Sequence, residues 1–411
     1  MKKLNFLFTN KGIALVMAIY LLIFVAIIVP IAAVMIKTSY NNTRTYSRFL
    51  TEAENASRAG LVDALSWFRR QPTQPVACTS PYPDAAFSPV YSTNTATSDT
   101  MDASIGIVEQ YLLDSDKSLW IRYEVHKQNN PATNPTDPYA VHDITGDRVD
   151  GSSNGNGFVW QVSSIGYVYQ QNNPSLQYNV SPNKIISQAA FRTEIRRITL
   201  NYINAACISD NGANVNVYDN SMVWAGSTAM GIASRTGSAP YVVSGSTVIG
   251  TPNYGLLSTT STMSPTVSAI FGLPQSELKF MADYCVTAVN QLPTPMSTMA
   301  LTYVSGDANF NASTPLSGGG ILFVGGNLTV AADSNSSFNG VIYATGTVTL
   351  NDPTLVSGCV IGFAGVNISR SGAAQSVAVY YDTNKINSIK QQICQYRQDK
   401  SPFRLFGAML N

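Results

Sequence analysis

The chain has 411 residues, a formal net charge of +1 and only 12% charged side chains, against roughly 25% in an average globular domain. Its polarity comes from Ser, Thr, Asn and Gly, and without a basic excess there is no electrostatic footprint for nucleic acid. At this length two or three domains are expected besides any membrane segment.

Residues 12–36 carry no charged side chain, and Lys2, Lys3 and Lys11 stand just before them. A helix needs about 20 apolar residues to cross the hydrocarbon core of a bilayer, so this run is long enough to span. The lysines place the N-terminus in the cytoplasm by the positive-inside rule, and everything after Lys37 then faces outward. A secretory signal peptide cut near Ala32 or Ala33 is the alternative, but the apolar region of such a peptide usually has about 7–15 residues. Pro30 lacks an N–H and is expected to kink the membrane part. The helix is expected to continue to Arg70 and to end by Pro72, with Ala53, Ala56, Gly60, Ala64 and Phe68 on one face at three- and four-residue steps. Such a small-residue face can lie close to a sheet or to a neighbouring helix.

The junction Lys11-Gly12-Ile13 sets a short basic leader directly against the apolar helix. Glycine has no Cβ and supplies the exposed, flexible residue that a peptidase at the cytoplasmic face needs. A cut after Gly12 leaves Ile13 as a new terminal amine. The run Gly12-Ile13-Ala14-Leu15-Val16-Met17-Ala18, followed past the membrane segment by Ala59-Gly60-Leu61-Val62-Asp63-Ala64-Leu65, resembles the N-terminal region of PilX-type minor pilins of type IV pili. The resemblance covers residues 1–70. It implies a cleaved leader over residues 1–12 and a membrane and filament-core helix over 13–70, packed in the filament through Met17, Ala53, Ala56, Gly60 and Ala64. As partners it implies a prepilin peptidase, an inner-membrane assembly platform, the major pilin and other minor pilins. The subunit is expected in the inner membrane before assembly and in the extracellular pilus afterwards, with no cofactor.

In most pilins the fifth residue of the mature chain is Glu, whereas here that position is Met17. PilX-type pilins and the K-type pseudopilins of type II secretion also place an apolar residue there. A carboxylate in hydrocarbon is costly unless it meets a positive partner, and in pilins that partner is taken to be the terminal amine of the subunit ahead. A subunit without the carboxylate needs no neighbour ahead of it, so Met17 fits the tip of a filament. The alternative is that Met17 simply packs against other helices.

Residues 76–199 read as strands. The segments 118–125, 158–169 and 189–200 are expected to pair antiparallel and to pack on the helix as a pilin head spanning residues 71–202. Residues 127–157 read as long loops. Asp143, Asp147 and Asp150, with Asn154 and Asn156, crowd one of them, and hard oxygen ligands at short spacing make a weak calcium candidate. Their spacing does not match an EF-hand, and a solvated turn-rich loop is the favoured reading. His126 and His142 stand outside any motif and are expected at the surface.

Beyond Asn201 the chain repeats. Phe323, Gly326, Leu328 and Val330 return as Tyr343, Gly346, Val348 and Leu350, and the apolar positions return again as Ile361, Val366 and Ile368. A period of this size with two short strands per repeat is the signature of a β-solenoid, in which stacked turns share one core. Phe323, Leu328, Val330, Tyr343, Val348 and Leu350 are expected to point inward, and Thr329, Thr347 and Thr349 outward. The solenoid is expected over residues 203–381, with poorer periodicity at 215–224 and 242–250. A helical insertion at 274–291 aligns Leu278, Met281, Cys285 and Ala288 on one face, and residues 382–411 read as a C-terminal cap carrying Ile386, Ile389, Ile393 and Tyr396.

Cys78, Cys207, Cys285, Cys359 and Cys394 form no C-x-x-C pair, which argues against zinc and thioredoxin-like chemistry. Disulfides are permitted outside the cytoplasm, and the odd count leaves at least one thiol over. Cys285 and Cys394, both on short amphipathic segments, are the candidate pair, and Cys359 reads as core. Polysaccharide-cutting enzymes built on parallel β-helices need clustered carboxylates, but Asp333 and Asp352 are isolated here and no phosphate loop or nucleophile motif is present. The expectation is an α+β chain: a long N-terminal helix, an antiparallel head and a C-terminal parallel β-solenoid. Its expected role is a minor pilin, at the tip, that takes part in initiating pilus assembly and displays the solenoid toward a surface, a glycan or another cell. A K-like tip pseudopilin of type II secretion is the alternative, and a polysaccharide-active enzyme the second.

Overall fold

The apolar start of the chain forms one continuous helix, α1 (Asn10–Arg70), in the computed structural model. The model describes residues 10–71, 73–76, 105–126, 137–149, 151–153, 155–218, 220–258, 263–370, 376–398 and 403–409. At 1.5 Å per residue, α1 extends about 90 Å. It passes Pro30 without interruption and stops at Arg70, where Arg69 and Arg70 set positive charge against the negative end of the helix dipole. Met17, Leu22, Phe24, Val29 and Met35 are each more than half exposed.

The second half of α1 lies on an antiparallel sheet. Its strands are β1 (Gly106–Asp114), β2 (Leu119–His126), the short β3 (His142–Asp143), β4 (Val159–Gln170) and β5 (Lys184–Arg196), in the order β1-β2-β4-β5 with β3 beside β4. A single-turn helix, α2 (Thr145–Arg148), follows β3. The three expected strands are β2, β4 and β5. β5 starts and ends earlier than expected because Ile198 and Leu200 leave the sheet for a second core. β1 escaped the sequence pattern because an edge strand with half-exposed residues alternates weakly.

After β5 the pairing becomes parallel. The chain forms β6 (Ala205–Ser209), β7 (Val215–Val217), β8 (Met222–Trp224), β9 (Met230–Ser234), β10 (Tyr241–Val242), β11 (Thr247–Ile249) and β12 (Tyr254–Leu256). Two short helices, α3 (Val267–Phe271) and α4 (Gln275–Met281), interrupt the strands. Then come β13 (Tyr284–Val286), β14 (Leu301–Val304), β15 (Ala308–Phe310), β16 (Ser317–Val324), β17 (Leu328–Val330), β18 (Ser336–Ala344), β19 (Thr347–Asn351), β20 (Thr354–Gly362), β21 (Gly365–Ser369) and β22 (Val377–Tyr380). The register sets Phe323 beside Tyr343 beside Ile361, and Leu328 beside Val348 beside Val366, the positions that the sequence repeat aligns. Gly340 and Gly358 adopt φ of +154° and +147° and stand side by side; a Cβ on Gly358 would lie 1.8 Å from the Gly340 carbonyl oxygen, so only glycine fits.

Chain order and stacking order differ. One parallel sheet runs β11-β8-β22-β20-β18-β16-β14-β13, with β6, β9 and β12 joined to it through β20, and the other runs β10-β7-β21-β19-β17-β15. The chain therefore enters the stack in its middle and builds outward through β12. It crosses by α3 and α4 to the opposite end, then grows back until β21 pairs with β7 and β22 with β8. The helix expected over 274–291 ends at Met281, because residues 284–286 are drawn into parallel pairing with β14.

Leu322, Leu328, Ile342, Val348, Leu350 and Val360 share one apolar cluster drawn from both parallel sheets. Phe323 and Tyr343 belong instead to a second cluster with Ile270, Phe271, Leu278 and, from α5 (Thr383–Gln392), Ile386 and Ile389. The expectation that Phe323 and Tyr343 point inward with Leu328 is therefore corrected. These strands are apolar on both faces, and a period of two cannot say which face is inside. The last segment is corrected too. α5 lies against β18 and β20 rather than over an end of the stack, and β23 (Arg397–Gln398) and β24 (Phe403–Met409) pair antiparallel with β5. The parallel region is thus inserted between two strands of the antiparallel sheet, and of the expected cap residues α5 packs along the side of the stack while β23 and β24 return to that sheet.

Candidate functional site: an exposed apolar helix seated on a sheet

Small residues let α1 approach the sheet closely. A Cβ on Gly166 would lie 2.0 Å from the Ala53 carbonyl oxygen, and one on Gly60 2.3 Å from Ser164 Oγ. Ser57 spans this contact: its hydroxyl donates to the Ser164 carbonyl at 2.7 Å and accepts the Phe191 N–H at 3.0 Å. The helix is thereby hydrogen-bonded to both β4 and β5. Farther along, Leu61, Ala64, Trp67 and Phe68 join Trp160, Val162, Ile195 and Tyr396 in one cluster.

This seat uses the residues that the family resemblance implies for filament packing. Ala53 and Ala64 are 0% exposed and Ala56 6%, and Gly60 is buried with them, so all four are consumed within the chain's own fold. The spacing marked a close-packed face but could not say whether a sheet or another helix covers it. Met17 is 68% exposed and remains open to a partner. Gly12 and Ile13 belong to α1 near its start. The first half of α1 is long and apolar enough to cross a membrane, and its most apolar window has no burial within the chain. Ser57 and Tyr396 were not singled out by sequence as functional positions, although Ser57 sits on the small-residue face four residues after Ala53.

The loop before β4 is organised by Asp143. Its carboxylate accepts the Thr145 N–H at 2.9 Å, the Thr145 hydroxyl at 2.5 Å, and the N–H groups of Gly155 and Gly157 at 2.8 and 2.7 Å. These oxygens are engaged as a turn anchor, which corrects the calcium reading at Asp143. Asp147 is exposed, and Asp150 lies outside the described residues. Among the described residues no three His, Cys, Asp or Glu side chains are grouped to hold a metal.

His126, expected at the surface, is instead largely buried between Glu124 and Asp137, and Glu124 also accepts from Arg122 at 2.7 Å. Burial by itself lowers the imidazole pKa. The hydrogen bonds to Asp137 and Glu124 outweigh it and raise the value to about 9. His126 is therefore an imidazolium at neutral pH, tying the segment at Asp137 to β2. His142 is shifted the other way, by burial and the nearby Arg192 charge.

The expected pairing of Cys285 with Cys394 is not formed. Cys285 is an exposed thiol on β13, while Cys394 is buried in the cluster with Ile386, Ile389 and Ile393. Residue 285 lies on a strand rather than on the predicted helix, so the face that suggested the pairing does not exist. Burial pushes the thiols of Cys207 and Cys394 up to about 12 and raises that of Cys359 well above its ordinary value, which leaves them inert. Asp352 is fully buried and Asp333 exposed, so the two carboxylates of the repeats do not share a surface. On the outer side of β17, β19, β21 and β7, Thr329, Thr349, Asn367 and Asn216 stand side by side, with the Asn216 amide donating to Asn367 Oδ1 at 2.7 Å.

No family model, curated protein or solved structure matches the chain.

Proposed function

We propose that this chain is a minor-pilin-type subunit whose α1 first anchors it in the inner membrane and then, after a cut between Gly12 and Ile13, enters the helical stem of a type IV pilus. One observation carries the reading. A single continuous helix is bare and apolar over its first half and locked to an antiparallel sheet over its second. Lipid tails are as apolar as helix partners, so such a segment exchanges one surrounding for the other at little cost, and shape governs its association. Met17, exposed and uncharged, suits a subunit with none ahead of it.

The parallel region is read as a β-solenoid in which each pass through both sheets adds a layer to one core. Its bulk favours low stoichiometry and a place at the tip. The uncharged row through Thr329, Thr349, Asn367 and Asn216 suits a surface or glycan ligand, since hydroxyls and amides both donate and accept. On this reading the subunit meets a prepilin peptidase, the inner-membrane assembly platform, the major pilin and other minor pilins.

Excising residues 204–392 behind a short linker keeps β23 and β24 on the head and tests the reading. Normal piliation with lost attachment supports display by the inserted region. Loss of pili makes assembly the main role. Intact pili with lost enzyme secretion points to a type II pseudopilin. Mass spectrometry of the mature chain gives an N-terminus at Ile13 on the proposed route; an intact Met1, or a start after Ala33, removes it.

A further inference from the structure

Just beyond the apolar run of α1 lies a cleft of about 290 Å³, lined by Arg44, Arg48, Phe49, Leu113, Asp114 and Lys117. Phe49 and Leu50 of α1 and Leu113 and Ile121 of the β1–β2 hairpin pack against one cluster of Ala53, Val168 and Ala189, which holds the hairpin to the helix and sets Lys117 beside the two arginines. Three cations thus line a cleft that holds one carboxylate. The helix rise places Arg44 about 10 Å and Arg48 about 16 Å beyond Lys37, the first charge after the apolar run. The polar headgroup layer adds roughly 5–8 Å on each side of the hydrocarbon core, so Arg44, reaching back along its apolar stem, sets its charge within that layer, and Arg48 stands about 6 Å farther out at its edge.

The same end of the head exposes apolar and aromatic groups. Tyr40 is 66%, Tyr111 45% and Leu112 52% exposed. The Gln171 N–H donates to the Ser118 carbonyl at 2.9 Å, which brings the β4–β5 loop level with the hairpin tip, and that loop carries Leu176 and Val180 at 39% and 43% exposure. Tyrosine and isolated apolar side chains beside cations are the composition of a membrane interface.

We infer that the Arg44–Arg48–Lys117 cleft binds the phosphate of an anionic phospholipid headgroup in the outward-facing leaflet. The head is thereby held down on the membrane until α1 is withdrawn. This rests on the proposed membrane placement of α1. The bound lipid fixes the rotation of α1 about its axis, and leaving the bilayer requires that the headgroup be released.

The full chain is reconstituted in nanodiscs of mixed phosphatidylglycerol and phosphatidylcholine, and the lipids retained on release are counted by native mass spectrometry. The wild type is expected to retain phosphatidylglycerol about tenfold over phosphatidylcholine. The triple variant Arg44→Gln/Arg48→Gln/Lys117→Gln is expected to fall to parity, while Arg44→Lys/Arg48→Lys, which keeps the charge, and Lys279→Gln, on α4, keep the preference. Equal retention of the two lipids by the wild type, or undiminished preference in the triple variant, overturns the inference. Displacement of phosphatidylglycerol by inorganic phosphate alone assigns the cleft to free phosphate and also overturns it. Recovery of the chain from cells in the soluble rather than the membrane fraction overturns the inference together with the anchoring it rests on; a membrane-bound chain without lipid preference overturns the cleft alone.

Discussion

Tyr396 packs on Phe68 with ring centroids 5.2 Å apart, so the last segment of the chain rests on its first helix. Its hydroxyl donates to the Gly157 carbonyl at 2.5 Å and accepts the Val76 N–H at 2.9 Å. One side chain therefore joins the end of α1, the loop before β4 and the segment leading to β23. Replacing it with phenylalanine leaves both polar partners buried and unpaired, at about 1–3 kcal/mol. Tyr396→Ala adds a cavity and is expected to cost about 3–5 kcal/mol. Denaturation of the full chain in detergent, followed by tryptophan fluorescence, checks this. An unchanged midpoint for Tyr396→Ala would mean that the return of the chain to the head is not structural.

The seat of α1 predicts a contrast between two glycines. Gly166→Ala drives a methyl group into the Ala53 carbonyl, 2.0 Å away, and is expected to destabilise by about 2 kcal/mol or more. Gly151→Ala, at φ +75° with nothing within 4 Å, meets only backbone strain of about 1–2 kcal/mol. Ser57→Ala leaves the Phe191 N–H without its acceptor. Hydrogen exchange at the Phe191 amide should accelerate in Ser57→Ala and stay slow in Gly151→Ala.

Folding raises the His126 pKa from 6.5 to about 9. The stability this supplies is complete below pH 6.5 and is lost as the pH climbs through 9. Its carboxylate partners act at the other end of the scale. Burial pushes Glu124 and Asp137 up, but their bonds to His126 outweigh that and hold both below the ordinary carboxylate range, so their stabilisation fades as acid protonates them. His126→Gln should lower the denaturation midpoint at pH 7 and flatten its decline between pH 7 and pH 9. A variant whose alkaline decline matches the wild type would place that titration elsewhere.

Thiol accessibility separates the cysteines. Under native conditions a maleimide reagent should label Cys285 rapidly, while Cys207, Cys359 and Cys394 react only after denaturation. Cys285→Ser is expected to change stability by less than about 0.5 kcal/mol, as for other surface substitutions. A non-reducing peptide map that links Cys285 to Cys394 would contradict the structure.

The long N-terminal helix was legible because its signal is local. An uncharged run longer than a bilayer core and small residues at helical spacing need no knowledge of the rest of the chain. β2, β4 and β5 and the repeat from Phe323 to Ile368 were legible for the same reason, since alternation and period are written along the chain. The ionic role of His126 was not, because its partner Asp137 stands 11 residues away in sequence and neither residue belongs to a pattern that names the other.

The amino-acid sequence by itself determined the long helix α1, the strands β2, β4 and β5, where a membrane helix fits, and that the second half is built from repeated strands. Only the tertiary structure decided which partner each apolar face takes. It put Ala53, Gly60 and Ala64 on the chain's own sheet, turned Phe323 and Tyr343 toward α3, α4 and α5, and returned Tyr396 to Phe68. It also closed the parallel stack by laying β22 against β8. The reason is physical: burial is non-directional and rewards any apolar cover, so periodicity marks the face that must be covered, and only the three-dimensional competition among all such faces assigns the cover.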